Sequence, residues 1–465
     1  MENIIQQITL ELVEKIVKKA CSDQFSDIDT LAAGVFEDCS ESARLIIQEV
    51  IRMRNVRFRE NKEFRKQEGL VLKEKDRPRR ILTKLGVIEW TRDYYYDKQQ
   101  GHYVHPLDQM LDIRKYERIG NEVLAQLMNR SAEVSYMKSS NIVTGGAVSR
   151  QSVHNHIKKV EVPEKQPEER RKVKELHIYA DEDHVHMQKP DKKRGKQNRM
   201  VPLVTVTEGT RAVSKRRNRT VRPMHFVDET QSPRKLWETV EGYIDKAYEI
   251  GDLEKIYIHA DGGNWIQNGL EAFPQVIHVM DGYHFYKELK QVSVQFPRRN
   301  VRTLIMNALK EDDKGKADRF LQELAGEDER AMRFGTYLFG HWEEIRNLIT
   351  MDIPGSCTEG QVSHVLSERF SRNPMGWGKE CLGKLSKLRV YRLNGCELKS
   401  DDLKKQGKEE KYCDYANRFI KEELEGAIDW GIFEHEPLVM DGSTGTQTLL
   451  KAYGTDNGVL GSMLS

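Results

Sequence analysis

The sequence predicts an α/β protein. Short, β-branched apolar runs that end in aspartate recur three times, and segments of helical period lie between and after them. A mainly helical region precedes them. The runs are Leu176–Ala180 before Asp181, Lys255–Ala260 before Asp261, and Val276–Met280 before Asp281. At 465 residues the chain exceeds one ordinary core, so about two to four domains are expected.

Composition narrows the class. A hydrophobic fraction of 38% and a charged fraction of 32% suit a soluble, polar protein. No run approaches the roughly 18 apolar residues of a membrane span. Met1–Gln7 lacks the basic and apolar regions of a secretory signal. The six cysteines are scattered without a Cys-x-x-Cys pair, which argues against structural zinc and a disulfide framework. A reduced, cytoplasmic and nucleoid-associated setting is expected. The net charge of +2 marks no partner by itself, but between Lys189 and Arg222 twelve basic side chains face only two acids. Such density suits phosphate binding or a solvated surface.

In chain order, residues 1–75 read as a helical region. Ile4, Ile5, Ile8, Leu12, Val13 and Ile16 recur near helical spacing, and a second helix is expected from Ser40 to Lys66. Residues 76–160 read as a β-hairpin followed by a helix-turn-helix. Ile81–Tyr96 is rich in β-branched and aromatic residues around Gly86. Tyr116–Arg130 is amphipathic. A helix over Tyr136–Val143, a Gly145-Gly146 turn and a short helix capped by Ser149 follow. Arg150, Gln151, His154, Asn155, Lys158 and Lys159 on the last helix can donate to base edges or phosphates. Two short helices around a glycine turn also occur in proteins that never meet DNA.

After a proline-containing linker, residues 172–291 read as strands at 175–181, 200–207 and 221–228, a helix at 233–250, and strands at 255–260 and 275–280. Antiparallel strands leading into βαβ units, with acids at strand ends, describe the RNase H-like fold. Residues 292–351 are charged and helical and read as an insertion. Residues 352–397 return to the core with a helix capped by Thr358, and 398–465 form a C-terminal tail region.

Carboxylates gathered from separate strands are what metal-dependent phosphodiester chemistry needs. Two divalent ions serve the attacking and leaving oxygens, and magnesium favours oxygen ligands. Asp181, Asp261 and an acid from the helix near Glu359 meet that need; they lie 80 and a further 98 residues apart. Asp183 shares a strand face with Asp181 and is its alternative, while Glu182, His184 and His186 share the other face. The histidine pair would suit a transition metal but lacks a third ligand. Asp261 alone also reads as a plain Asp-Gly-Gly turn.

Asp281-Gly-Tyr-His284, with the helix after it, resembles the Asp-x-x-His element of DDE transposases of the Mutator-like superfamily, bacterial insertion-sequence members included. The charged helical stretch resembles that family's insertion. Cys357-Thr-Glu359-Gly resembles the segment around its glutamate, and Arg369 to Trp377 the residues that follow. The layout is most similar to the ISLre-type group. One departure is that Cys357 and Thr358 stand where an asparagine is expected, which makes Glu368 a competitor of Glu359.

The resemblance implies DNA cleavage at element ends and strand transfer, with two Mg²⁺ ions (Mn²⁺ as substitute) on Asp181, Asp261 and Glu359. Asp281 and His284 would be accessory residues, and Lys215, Arg216, Arg217 and Arg219 would hold the DNA backbone. Terminal inverted repeats and target DNA would be the partners of a homodimer or larger assembly, with no membrane. A metal-dependent nuclease without strand transfer, or a non-catalytic DNA-binding derivative of a transposase, are the alternatives.

Overall fold

The computed structural model describes residues 2–21, 27–189, 197–214, 217–273, 275–353, 357–373, 375–405 and 415–425. Packing divides the chain into two compact units. One comprises residues 1–81, 85–118 and 409–465; the other comprises 82–84 and 119–408. Among the described residues no helix is long and apolar enough to cross a membrane.

The first unit contains α1 (Glu2–Ala20), α2 (Ile28–Glu60) and α3 (Lys62–Gln67), then β1 (Leu70–Thr83), β2 (Gly86–Asp97), β3 (His102–Val104) and the short α4 (Pro106–Met110). Asp27 starts α2 by accepting the Thr30 N–H at 2.8 Å. The hairpin turns at Gly86, whose φ is +92°. β1 begins eleven residues before Ile81, inside the region expected to be helical. Lys73–Asp76 are exposed in succession along it, so its sequence lacks the alternation of a half-buried strand. Phe58, Phe64 and Tyr95 form the core, and Phe419 from the helix Tyr415–Glu425 closes onto Phe58 at 5.0 Å. Part of the expected tail region is therefore core; residues 426–465 lie outside the described residues.

The second unit is built on a mixed five-stranded sheet. It is preceded by α5 (Asn121–Ser131), α6 (Tyr136–Thr144) and α7 (Arg150–Ile157). Its strands are β4 (Glu175–His186), β5 (Asn198–Thr207), β8 (Met224–Phe226), β9 (Lys255–Ala260) and β10 (Val276–Met280), in the order β10-β9-β4-β5-β8. β10, β9 and β4 run parallel, whereas β5 is antiparallel to both β4 and β8. The strand expected at 221–228 is only the brief β8. Before it, β6 (Thr210–Ser214) and β7 (Arg217–Thr220) make a separate two-stranded ribbon, too polar to show an apolar pattern.

Each sheet face is buried. The helix α8 (Pro233–Ala247) lays Leu236, Trp237, Val240 and Ile244 on Leu176, Ile178, Val204 and Ile258, and the short α9 (Gln267–Ala272) follows β9. On another core, Val185, Val201 and Leu203 meet α15 (Thr358–Val362), which continues through a π-helical turn (Ser363–Ser367) into α16 (Glu368–Phe370), and α17 (Lys379–Leu393). Val123, Leu127, Val153 and Ile157 of α5 and α7 join that same core. These helices thus belong with the sheet and not with the hairpin they follow in sequence. Five helices, α10 (Gly282–Gln295), α11 (Val301–Glu311), α12 (Lys314–Ala325), α13 (Glu329–Gly340) and α14 (Trp342–Thr350), enclose their own core of Phe285, Leu289, Ile305, Leu321, Phe334 and Trp342. This helical body begins at Gly282, ten residues before the expected boundary.

The close crossing of α17 depends on Gly383, where a Cβ would overlap the Glu229 carbonyl oxygen. Gly383→Ala is expected to destabilise the protein by about 1–3 kcal/mol through overpacking. A lower urea midpoint measures it, and an unchanged midpoint would show that α17 is not held this tightly.

Candidate active site

The backbone ladder builds the site. β4 and β9 pair in parallel with Tyr179 opposite His259, and β9 pairs with β10 with Ala260 opposite Met280. Carried past the last paired residues, these registers set Asp261 and Asp281, just beyond the ends of β9 and β10, level with Asp181, which lies within β4 because that strand runs on against β5 to His186, past the end expected at 181. Neighbouring strands lie about 4.8 Å apart. Asp261 and Asp281 are placed by apolar runs just long enough to cross the sheet, and Asp181 by the point at which β4 outruns its parallel neighbour β9.

Asp181 is 8% exposed and accepts the Glu182 N–H at 2.8 Å. Burial pushes its carboxyl up to about 7, and the Asp261 and Glu182 charges add to this, against the Glu182 N–H and His284. Asp261 is half-buried and accepts the Gly263 N–H at 2.9 Å. Gly262 has a φ of +89°, and a Cβ on it would come within 2.5 Å of His341 Cε1. The Asp-Gly-Gly turn is therefore required by the backbone as well as presenting Asp261. Asp281 is buried at the start of α10, and its Oδ2 lies 3.0 Å from His284 Nδ1. That bond holds the His284 imidazole above its ordinary pKa; Asp181 and Asp261 add to the effect and burial opposes it.

Two features had no counterpart in the sequence reading. Glu182 joins the acids: its Oε2 accepts Trp265 Nε1 at 2.7 Å, and burial raises its pKa, with Asp261 adding. Beneath the acids His177 Nδ1 meets His259 Nε2 at 3.1 Å, and His259 stacks on Tyr179 at 4.6 Å. Burial depresses both imidazoles, His177 to about 4 and His259 to about 3, so this floor is neutral. The period-two placing of His177, Tyr179 and Asp181 was its only sequence signal.

Asp183 and Glu368 are engaged by other side chains, and Glu359 is exposed. Asp183 is buried but accepts the Ser371 hydroxyl at 2.9 and 3.0 Å. Glu359 is exposed in the first turn of α15, the helix that packs along β4. Glu368 is drawn to Arg389 at 3.2 Å. Among the described residues no three His, Cys, Asp or Glu side chains close to metal-holding distance. The charges acting most on Asp181 are nevertheless two acids and one histidine, with no lysine or arginine. Like-charged, partly desolvated oxygen donors, only partly offset by His284, fit a hard divalent cation of the magnesium type.

Basic and polar surface lies on two elements. On α7 Arg150, Gln151 and Asn155 are exposed, as are Lys158 and Lys159, which lie just past its end and not on the helix as expected. His154 is half-buried edge-on to Tyr136, Gln151 bonds Asn155, and Lys158 pairs with Glu380. On the ribbon, exposed Arg211 stands directly opposite exposed Arg219. Arg217 begins β7, and Lys215 and Arg216 lie outside the described residues.

A family model described as an uncharacterised protein family, UPF0236, matches residues 22–407. Several UPF0236 proteins of Caldanaerobacter subterraneus subsp. tengcongensis are similar to the chain. One is 32% identical over 409 residues, covering 86% of this chain and 85% of the relative. A second is 33% identical over 382 residues, 80% of each. A third is 32% identical over 382 residues, 80% of this chain and 79% of the relative, and its name joins eleven designations.

Proposed function

The chain belongs to UPF0236, an uncharacterised protein family, and we propose that it is a metal-dependent DNA transposase that cuts the ends of a mobile element and joins them to target DNA. The observation that carries this reading is the level row of Asp181, Asp261 and Asp281 on adjacent parallel strands, with Asp181 buried among other acids. The mixed sheet followed by a helical body and then a helix bearing Glu359 supports an RNase H-like catalytic domain of the Mutator-like type. A relative whose single name joins eleven designations in one organism is in keeping with a gene copied by mobility.

Asp181, Asp261 and Glu359 would hold two Mg²⁺ ions, with Mn²⁺ as a substitute; when bound, such ions activate the attacking oxygen and stabilise the leaving 3′-oxygen. The chain's own groups prepare the site. The Gly263 N–H aims the Asp261 carboxylate, the Glu182 N–H aims that of Asp181, and Asp281 fixes the His284 ring. Water breaks the phosphodiester first, leaving a 3′-OH, and that hydroxyl then displaces a 3′-oxygen in the target. The helices α6 and α7 would act as the helix-turn-helix on terminal repeats, working in a homodimer or larger assembly.

Incubation with pre-cut terminal DNA and Mg²⁺ should yield joined product, and EDTA should abolish it. Cleavage without joining would replace the reading by a nuclease on the same acids, and neither reaction would overturn it. The ribbon gives a separate check. Like charges directly opposite one another are unfavourable, and a phosphate between Arg211 and Arg219 relieves the repulsion. Arg219→Ala is expected to lower the slope of log affinity for duplex DNA against log salt by about 0.9. An unchanged slope would remove the ribbon from the interface.

A further inference from the structure

The helix α10 carries a second chemical face. Its buried side, Phe285, Leu289 and Val292, belongs to the core of the helical body. The opposite side presents Tyr283, Lys287, Lys290 and Val294 at i, i+4, i+7 and i+11, one stripe about 16 Å long, flanked by Tyr286. Tyr283 is 52% exposed and Tyr286 41%. The Lys287 ammonium sits 5.6 Å from the centre of the Tyr283 ring. With Arg330 of α13 these residues line an open cleft of about 1040 Å³ that includes three cations and no acid. The stripe starts two residues after Asp281, so its N-terminal end is tied to the row of acids through the first turn of α10.

Exposed aromatic rings interleaved with lysines along a groove are the chemistry that takes an unpaired nucleic-acid strand: bases stack on the rings and phosphates meet the ammonium groups. A rigid duplex keeps its bases stacked on one another and offers the rings no faces. An apolar partner helix would meet two lysines at the centre of the stripe. We propose that the Tyr283–Val294 face of α10 binds the single strand that leaves the acid site once a DNA end has been opened. The inference rests on the DNA-cutting function proposed above and adds where the unpaired product strand goes. Because the stripe is solvent-facing, its substitution leaves the helical core intact.

The test uses the full chain in EDTA, so that binding is read without reaction. Fluorescein-labelled oligothymidylate and a blunt duplex serve as probes, together with a duplex bearing a 2-aminopurine overhang. The Tyr283→Ala/Tyr286→Ala protein is expected to bind oligothymidylate at least about tenfold more weakly. It should also lose the 2-aminopurine quench that stacking produces, while its blunt-duplex affinity and melting temperature stay as in the wild type. Lys287→Ala/Lys290→Ala should lower the single-strand salt slope by about 1.4. Unchanged single-strand affinity in both variants, or an equal loss for blunt duplex, overturns the inference. The two failures are distinguishable. Metal-dependent joining by wild type alongside unaffected variants removes only the strand site, whereas stripe-dependent binding in a protein that never cuts DNA removes only the transposase reading.

Discussion

Replacing Asp181 with asparagine is expected to lower DNA cleavage and joining by on the order of 10³-fold or more, with duplex binding retained. Asparagine keeps the volume of the side chain and can still accept the Glu182 N–H, but it removes one anionic oxygen from the acid row. Metal-borne charge stabilisation is worth several kcal/mol, and each 1.36 kcal/mol is tenfold in rate. Asp261→Asn should do the same, since the Gly263 N–H would hold the amide oxygen in place of the carboxylate. Glu359→Gln and Glu368→Gln separate the two late acids. Glu368 is committed to Arg389, so only the Glu359 variant should lose activity on this scale. Wild-type cleavage by either aspartate variant would end the active-site proposal.

The same substitution should stabilise the metal-free protein at neutral and alkaline pH. Asp181 is raised from its ordinary 3.8 to about 7 by burial first and by neighbouring acids next. The folded chain therefore holds that proton more tightly than the unfolded chain. Its penalty is absent below about pH 3.8, grows as pH rises, and is complete above about 7. At 1.36 kcal/mol per unit the full cost is on the order of 4 kcal/mol. In EDTA at pH 8, Asp181→Asn should melt well above wild type, and the two should converge on acidification. Mg²⁺ at pH 8 should raise the wild-type melting temperature and leave the variant nearly unmoved. A variant no more stable than wild type at pH 8 would mean that Asp181 is not strained by its burial.

The acid row was legible because an acid immediately follows each apolar run, although only β9 and β10 end there and β4 continues to His186. What ties the row together was not. Glu182 reads as the outward neighbour of Asp181, and only the Trp265 indole, 83 residues away, shows that it belongs with the acids. Asp183 and Asp181 lie on one face by periodicity, yet a hydroxyl from Ser371, 188 residues on, engages Asp183. The hairpin was legible from its aromatic second strand, whereas β1 was hidden because Lys73–Asp76 bury neither face. The placing of α5–α7 followed from nothing local. Val153 and Ile157 look like the inner side of any short helix, and only Leu382, Leu385 and Phe370 show what they pack on.

The parallel ladder also makes the chain length around the acids unequal in value. Asp181, Asp261 and Asp281 are kept in step by the pairing of Tyr179 with His259 and of Ala260 with Met280, like teeth of meshed gears. Loss of one residue within Lys255–Asp261 would advance the middle gear by half a turn, carrying its carboxylate to the opposite side of the sheet while every apolar residue behind it changed sides as well. A residue gained on the surface of the helical body shifts no tooth. Length drift in this protein is therefore confined to what lies between the strands, and the strands themselves keep time.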